Sequence, residues 1–435
     1  MQNRREFMKG SAVFTTMMAA APIITGCVTT KGTAQVSGAP RVFKVAVVGC
    51  GGRGSGAVKN IIDAAKMIGQ EVKLVAAADF FMDKAQSMAK NYGLDEKFCF
   101  SGAKGYKKVM EMPDVEIVIL TTPLNFRPQH AEAAVKAGKH VFAEKGVAID
   151  APGVRQFIAA SKLAAEKKLT LVAGTQRRHQ QGYLLQAKAL QEGKISPVLG
   201  GNVYWNGNVP WIKRRTEGMS NKDYLCKNWL NFTELSGDHI VEQHVHNIDV
   251  ANWFIGRFPK SAVGFGGRAR RVTGNQFDFF SIDFDYGDGV HIHSMCRQIN
   301  KCHGSISESF RTNDALISGG GRVIRPNGDR VELAGDFMAG NPYEVEHVNL
   351  LKSIMGTGPY FNEGETVALS TACGIMGRIS AYTGQIVGMA DLLTKEDSPY
   401  YKGGALTAAA FEADGDVELP LEVAAIPGEE DPRFK

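Results

Sequence analysis

The sequence predicts an α/β protein whose N-terminal half is a doubly wound parallel sheet, and three observations carry that prediction. A β-rich apolar run, Phe43 to Val48, leads into Gly49-Cys50-Gly51-Gly52-Arg53-Gly54 and then a helical pattern. Strand-like and helix-like segments then alternate: "VEIVILTTP", "PQHAEAAVKAGKH", "HVFAEKG", a helix around Gly153 to Lys167, and "LTLVAGT". Alternation of this kind builds parallel sheets, because each parallel crossover needs a helix. From Leu199 to Val331 the pattern changes to closely spaced strands such as "FDFFSIDFDY" and "GVHIHSMCRQI".

The glycine loop has a specific chemistry. Gly49, Gly51 and Gly54 match G-x-G-x-x-G between a strand and a helix. The first Gly allows the tight turn, the second lets the backbone approach a pyrophosphate, and the third permits close helix–strand packing. Gly52 and Arg53 complete the loop. The next strand, "EVKLVAAADFF", ends in Asp79, where an acid binds the adenosine ribose hydroxyls. Phe80 rather than a basic residue follows, which favours NAD over NADP. Ligand chemistry in such sheets gathers beyond the strand C-termini. Gly49, Asp79, Thr121-Thr122-Pro123, Glu144-Lys145 and Gln176-Arg177-Arg178 are therefore expected to converge on one crevice.

At 435 residues the chain is long enough for two or three domains, and its formal charge of +5 is small. Lys and Arg are scattered, with no basic stripe interleaved with aromatics, so nucleic acid is not an expected partner. The seven Cys form no C-x-x-C pair, which argues against a zinc ribbon or a thioredoxin motif. The first residues have the order of an address: Arg4-Arg5, an apolar run, then "ITGC" ending at Cys27. That order predicts a twin-arginine, lipoprotein-type signal over 1–27, with lipidation of Cys27 as the one expected membrane link. Residues 28–40 read as a tether, 41–176 as the dinucleotide domain and 177–435 as a second domain. The expected location is the periplasm, reached folded with the cofactor already bound.

The stretch "SGDHIVEQHVHNIDVANW" crowds titratable groups among Ile, Val and Trp. His239, Glu242, His246 and Asp249 are spaced 3, 4 and 3, which on an α-helix places them in one narrow arc, with His244 pointing elsewhere. A metal site, helped by His291 and His293, has no recognisable ligand set, because H-E-x-x-H is absent; no metal is expected.

The glycine loop, "TTP…H", "AGKHVFAEKG", "GTQRRH", the His-rich segment and "EVEHVNLLKSI" together resemble the glucose-fructose oxidoreductase / inositol dehydrogenase / rhizopine catabolism (Gfo/Idh/MocA) family, from about Arg41 to Leu393. Within that family, the stretch from Trp229 to Asp249 resembles exported Bacteroidetes-type members. The resemblance implies a Rossmann domain followed by an α/β domain with an open, mainly antiparallel sheet, and association into a homodimer or homotetramer. It implies NAD held by Gly49, Gly51, Gly52, Arg53, Gly54, Asp79, Thr121, Thr122, Pro123, His130, Glu144 and Lys145. The family's Asp-x-x-x-His-x-x-Asp falls on Glu242, His246 and Asp249, with Glu for the first Asp. His246 is then the general acid/base, Glu242 its orienting carboxylate and Lys145 the group that polarises the reacting oxygen. Gly146 replaces the family's Pro in "EKP". Arg177, Arg178, His179, Tyr204, Trp205, Asp249, Arg297 and Tyr343 form the expected substrate set, with Trp211, Glu346 and His347 behind them.

Two enzyme classes fit, together with one class that does no chemistry. The first is an NAD-dependent oxidoreductase on a hydroxyl of a sugar or glycoside, with the 3-hydroxyl as its specific form and a recycled cofactor. The second is an NAD-dependent glycosidase of the α-N-acetylgalactosaminidase-like type, a branch that commonly lacks the Lys of EKP. The third is a glycan-binding lipoprotein. The intact Glu144-Lys145 favours the first.

Overall fold

A computed structural model describes residues 39–404, 406–429 and 431. The signal-like segment 1–27 with Cys27, and the tether up to residue 38, lie outside them. Six strands build the first sheet: β1 (Val42–Val48), β2 (Glu71–Asp79), β3 (Cys99–Ser101), β4 (Ile117–Leu120), β5 (His140–Ala143) and β6 (Leu171–Ala173). All pair in parallel, in the order β3-β2-β1-β4-β5-β6. This is the doubly wound dinucleotide-binding order, whose switch point lies between β1 and β4. Strand β1 is buried on both faces, so it reads as a continuous apolar run rather than an alternating one.

The crossover helices are α1 (Gly52–Met67), α2 (Met82–Tyr92), α3 (Gly105–Glu111), α4 (Arg127–Lys136) and α5 (Ala151–Glu166). Phe43, Val45 and Val47 pack with α1 and α2 on one face, while Ala46 and Val48 pack with α3, α4 and α5 on the other. Helix α6 (Gln181–Gln191) leads into the second sheet.

That sheet has eight strands: β7 (Gly200–Gly207), β8 (Ser261–Gly267), β9 (Phe279–Asp285), β10 (His291–Gln298), β11 (Ser305–Arg311), β12 (Leu316–Ser318), β13 (Arg322–Ile324) and β14 (Val387–Gly388). Their order is β13-β12-β11-β7-β10-β9-β8-β14, with β7 and β10 parallel and the other pairs antiparallel. The long β7–β8 connection holds the short helices α7 (Asn221–Lys227), α8 (Thr233–Ser236) and α9 (His239–Glu242), then α10 (Val245–Ile255). Beyond the strands come α11 (Pro342–Met355), α12 (Gly364–Thr383), α13 (Met389–Leu393) and α14 (Ala408–Glu412).

One face of the second sheet packs on α9, α10 and α12. The other is open, with Phe265 65% exposed on β8. Helix α11 packs on α1, and α12 packs on both α5 and the second sheet. The two sheets thereby share one core, which sets the ends of β1, β4 and β5 against the helices carrying the His-rich stretch. That stretch is not one helix. It breaks at Gln243 and His244, and Asp238 enters it at φ 73°, so the 3, 4, 3 spacing of His239 through Asp249 does not make a single arc. Among the described residues, no helix is long and apolar enough to cross a membrane.

Candidate active site

The glycine loop lies where the sequence places it. A Cβ on Gly54 would sit 1.9 Å from Gly49 O, so the helix start can approach the strand end only as glycine. Gly49 itself has φ +100° and packs on the Thr121–Thr122 peptide. In contrast, a Cβ on Gly51 or Gly52 would meet nothing within 4 Å. Gly51 also caps α1 without a side-chain hydrogen bond. The first N–H groups of a sixteen-residue helix therefore face open space, as a diphosphate requires.

Beside the loop is a cavity of about 600 Å³ lined by Gly49, Gly51, Asp79, Thr121, Thr122, Pro123 and His130, among others. Asp79 closes its β2 side. One carboxylate oxygen accepts from Cys50 N at 2.6 Å and the other from Phe81 N at 3.0 Å. Burial raises the Asp79 pKa. Each oxygen keeps a lone pair beyond its one backbone bond, as ribose hydroxyls would need. Burial and Arg127 press His130 down to about 3, so its ring is neutral beside Thr122. The cradle and acid fit a dinucleotide.

The reacting end lies past β5. Arg53 from the loop donates to the buried Glu144 at 2.5 Å. The next residue, Lys145, donates from Nζ to Glu242 Oε1 at 3.0 Å and to the Glu242 backbone carbonyl. The side chains of this pair are 13% and 11% exposed. The expectation that Glu242 orients His246 is corrected here: its carboxylate engages Lys145, just past the end of β5. His246 is positioned instead by stacking on Trp205, with ring centroids 5.7 Å apart, and Arg177 lies 5.8 Å from the same indole. Burial first, then the charges of Lys145 and Arg177, hold His246 well below its ordinary pKa. It is a neutral imidazole at pH 7.

Sequence reasoning missed Arg127, which is buried and donates to the carbonyls of Lys145 and Gly146. It fixes the peptide that carries Lys145. Nothing in "NFRPQH" signals this, since the contact exists only after β5 lies beside α4. A Cβ on Gly146 would lie 2.8 Å from Val241 O, so α9 packs directly on the same peptide.

Several expected substrate ligands are engaged elsewhere. Asp249 is held by Arg178 in a two-bond pair at 2.8 and 2.9 Å and accepts from Ser370, so both charges are consumed within the fold. His179 is buried between Asn349 and Glu363. Arg177 pairs with the buried Glu308, though its guanidinium still borders Trp205. Tyr204 and Arg297 project from the open face, because strand alternation turns them away from Trp205 and the buried Cys296. Tyr343 lies near the Arg53 guanidinium, 5.0 Å from ring centre to carbon, and keeps its place at the crevice. Trp211 lines the dinucleotide cavity rather than joining Trp205. His239 binds Asp238 and packs on Phe280 in the core. Among the described residues, no cluster of His, Cys, Asp or Glu could hold a metal.

Residues 43–175 match the model of an oxidoreductase family described as Gfo/Idh/MocA, NAD-binding Rossmann fold. Residues 43–175 thus carry the NAD-binding domain of that family. An inositol 2-dehydrogenase of Rhizobium meliloti is 25% identical over 210 residues, covering 48% of this chain and 56% of the relative. A 2,7-anhydro-N-acetylneuraminate hydratase of Escherichia coli is 26% identical, covering 40% of this chain and 44% of that protein. The chain thus spans about half the length of the curated relatives it matches. An aldose-aldose oxidoreductase from Caulobacter crescentus shares the fold, with a TM-score of 0.62 over 80% of this chain and all of that one, at 17% identity.

The matched domain is NAD-binding, and two expectations follow. Asp79→Ala removes the acid that meets the ribose hydroxyls and discriminates against a 2′-phosphate. NAD affinity should fall about tenfold while NADP gains, which titration of either nucleotide against intrinsic fluorescence would measure. The second concerns His347, whose ring packs 4.2 Å from Phe142 with neither nitrogen partnered among the described residues. Burial, Arg53 and His179 hold its pKa well below 6.5. Below that pH the unfolded chain takes a proton that the native site refuses, so this group costs stability as pH falls. His347→Leu should therefore gain on wild type by about 2 kcal/mol between pH 7 and pH 5, read from urea midpoints.

Proposed function

We propose that this chain is an NAD-dependent oxidoreductase acting on a carbinol of a sugar or glycoside. The observation that carries the reading is the juxtaposition of the Lys145–Glu242 pair and neutral His246 beside the dinucleotide strand ends. When bound, NAD supplies a nicotinamide that can accept a hydride. The chain's own residues must then hold the carbinol oxygen and receive its proton. Lys145 spends two N–H groups on Glu242 and keeps a third for that oxygen. His246, unprotonated, is free to take the proton. Trp205 offers an apolar face for a sugar ring and Arg177 a cation beside it. The 3-hydroxyl of a glycoside is the reading's specific form. Export as a folded, lipid-anchored periplasmic protein and self-association complete it.

A redox glycosidase is the second reading, and one observation favours it: a relative matching 40% of the chain is named a hydratase, not a dehydrogenase. The two separate on a simple aryl glycoside. The purified protein should carry NAD, identified after denaturation, and convert the glycoside to a keto-glycoside with its glycosidic bond intact. Release of free aglycone by this protein alone would establish the glycosidase instead. A protein that only binds glycans would do neither, and would have no use for a neutral His beside a paired Lys.

A further inference from the structure

The dinucleotide cavity has a wall that the first domain does not supply. Trp211, Lys213, Cys226, Lys227 and Trp229 line it, and all belong to the β7–β8 connection of the second domain. They bring two indoles and two ammonium groups to the site of an aromatic, anionic ligand. The wall meets the first domain at the end of β2, where Lys227 Nζ lies 5.1 Å from the Phe81 ring centre. Trp211 is 44% exposed, yet its segment is fastened. The buried Asn231 donates to Trp211 O at 3.2 Å, and the buried Asn228 accepts from Lys213 N at 3.0 Å.

A strap from the chain's C-terminal part then ties this wall down. Phe411 packs edge-on against Phe126 of the first domain, centroids 5.1 Å apart. Glu412 accepts from Tyr106 Oη at 2.8 Å, from Lys107 Nζ at 2.5 Å and from Gln129, all on α3 or α4. A few residues on, Asp416 accepts from the backbone N–H groups of Asn221 and Lys222 at 2.6 and 2.9 Å, holding the start of α7. Phe126, Leu225, Cys226 and Phe411 belong to one buried apolar cluster. The strap therefore grips the first domain with one end and the wall with the other.

We propose that residues 211–229, latched by residues 406–419, form a cofactor-binding cover over the dinucleotide cavity, making NAD a resident group rather than an exchanging co-substrate. The inference rests on the dinucleotide reading and goes beyond it. An open crevice releases its ligand by diffusion. Here release requires the cover to part from the first domain, which opens the Phe126–Phe411 contact and strips Glu412 of its donors. Such an opening is a local unfolding event, rare in proportion to the contacts it breaks.

The test is a chase. The full protein is loaded with radiolabelled NAD, then diluted into excess unlabelled NAD, and retained label is followed through rapid desalting. Wild type should keep its label through desalting. Trp211→Ala, at an exposed position, and Phe411→Ala, at the latch, should each release it at least about tenfold faster, with Glu412→Gln between them and wild type. Folding of each is verified by its thermal transition, and Trp211→Ala decides the matter should Phe411→Ala unfold. Loss of label from wild type within the first desalting would overturn the cover, as would a Trp211→Ala rate equal to wild type's. Protein that neither takes up label nor releases nucleotide on denaturation would instead overturn the dinucleotide reading itself, and the cover with it.

Discussion

His246→Ala should lower kcat by about two to four orders of magnitude on the substrate wild type oxidises, the range for loss of a positioned acid or base. Nucleotide content should stay at the wild-type level, because His246 lies at the reacting end and does not line the dinucleotide cavity. Two further measurements separate chemistry from packing. The ring is stacked on Trp205, so Ala leaves a void; His246→Gln refills much of it and should recover stability but not kcat. The wild-type kcat should also show no inflection near pH 6.5, since burial and the neighbouring cations already hold His246 neutral through that range. A wild-type inflection at pH 6.5 that vanishes in His246→Gln would place the titrating imidazole in solvent, contrary to the site described. Full activity in His246→Ala would leave the broken helix as a domain interface rather than a site.

The parts of this site that were legible in the sequence are those whose partners are local. Gly49 through Gly54 form one strand–turn–helix, and Asp79 reaches the same loop from the adjacent strand, so spacing alone describes them. The His-rich stretch was half legible. Its spacing describes an arc only if the helix is continuous, and the chain breaks at Gln243–His244, where His244 bonds Ser294 of β10. Asp238, at φ 73° before the first of the two helices, accepts hydrogen bonds from Tyr382 and Phe277, both far along the chain. The same holds for Arg178 and Asp249, seventy-one positions apart, whose pairing turns two apparent ligands into one structural bond. Strand alternation does say that Tyr204 and Trp205 face opposite ways. It does not say which of them meets the helices. The strap at residues 406–419 has no periodicity to announce it, and only the closed fold shows what it touches.

Lys145→Met should be the most damaging single change to both stability and turnover. It removes the cation from a pair whose side chains are 13% and 11% exposed, and it leaves the Glu242 carboxylate with one oxygen already lacking a partner among the described residues. Stranding one member of a buried pair costs about 3–5 kcal/mol. Glu242→Gln should cost less, because the amide oxygen and the backbone carbonyl of residue 242 can both still accept from the Lys145 ammonium that remains. The double variant should be more stable than Lys145→Met alone, since no unpaired carboxylate remains; that sign follows from the pair and from no independent-site account. Turnover should divide differently. Lys145 loses its hold on the reacting oxygen in both the single and the double variant, so kcat stays low even where the melting temperature recovers. Glu242→Gln alone should keep most of kcat, because the carboxylate anchors Lys145 rather than carrying the proton. If Glu242→Gln instead loses turnover as deeply as His246→Ala at unchanged stability, Glu242 is itself a proton carrier, and the assignment of Lys145 and His246 as a sufficient pair falls.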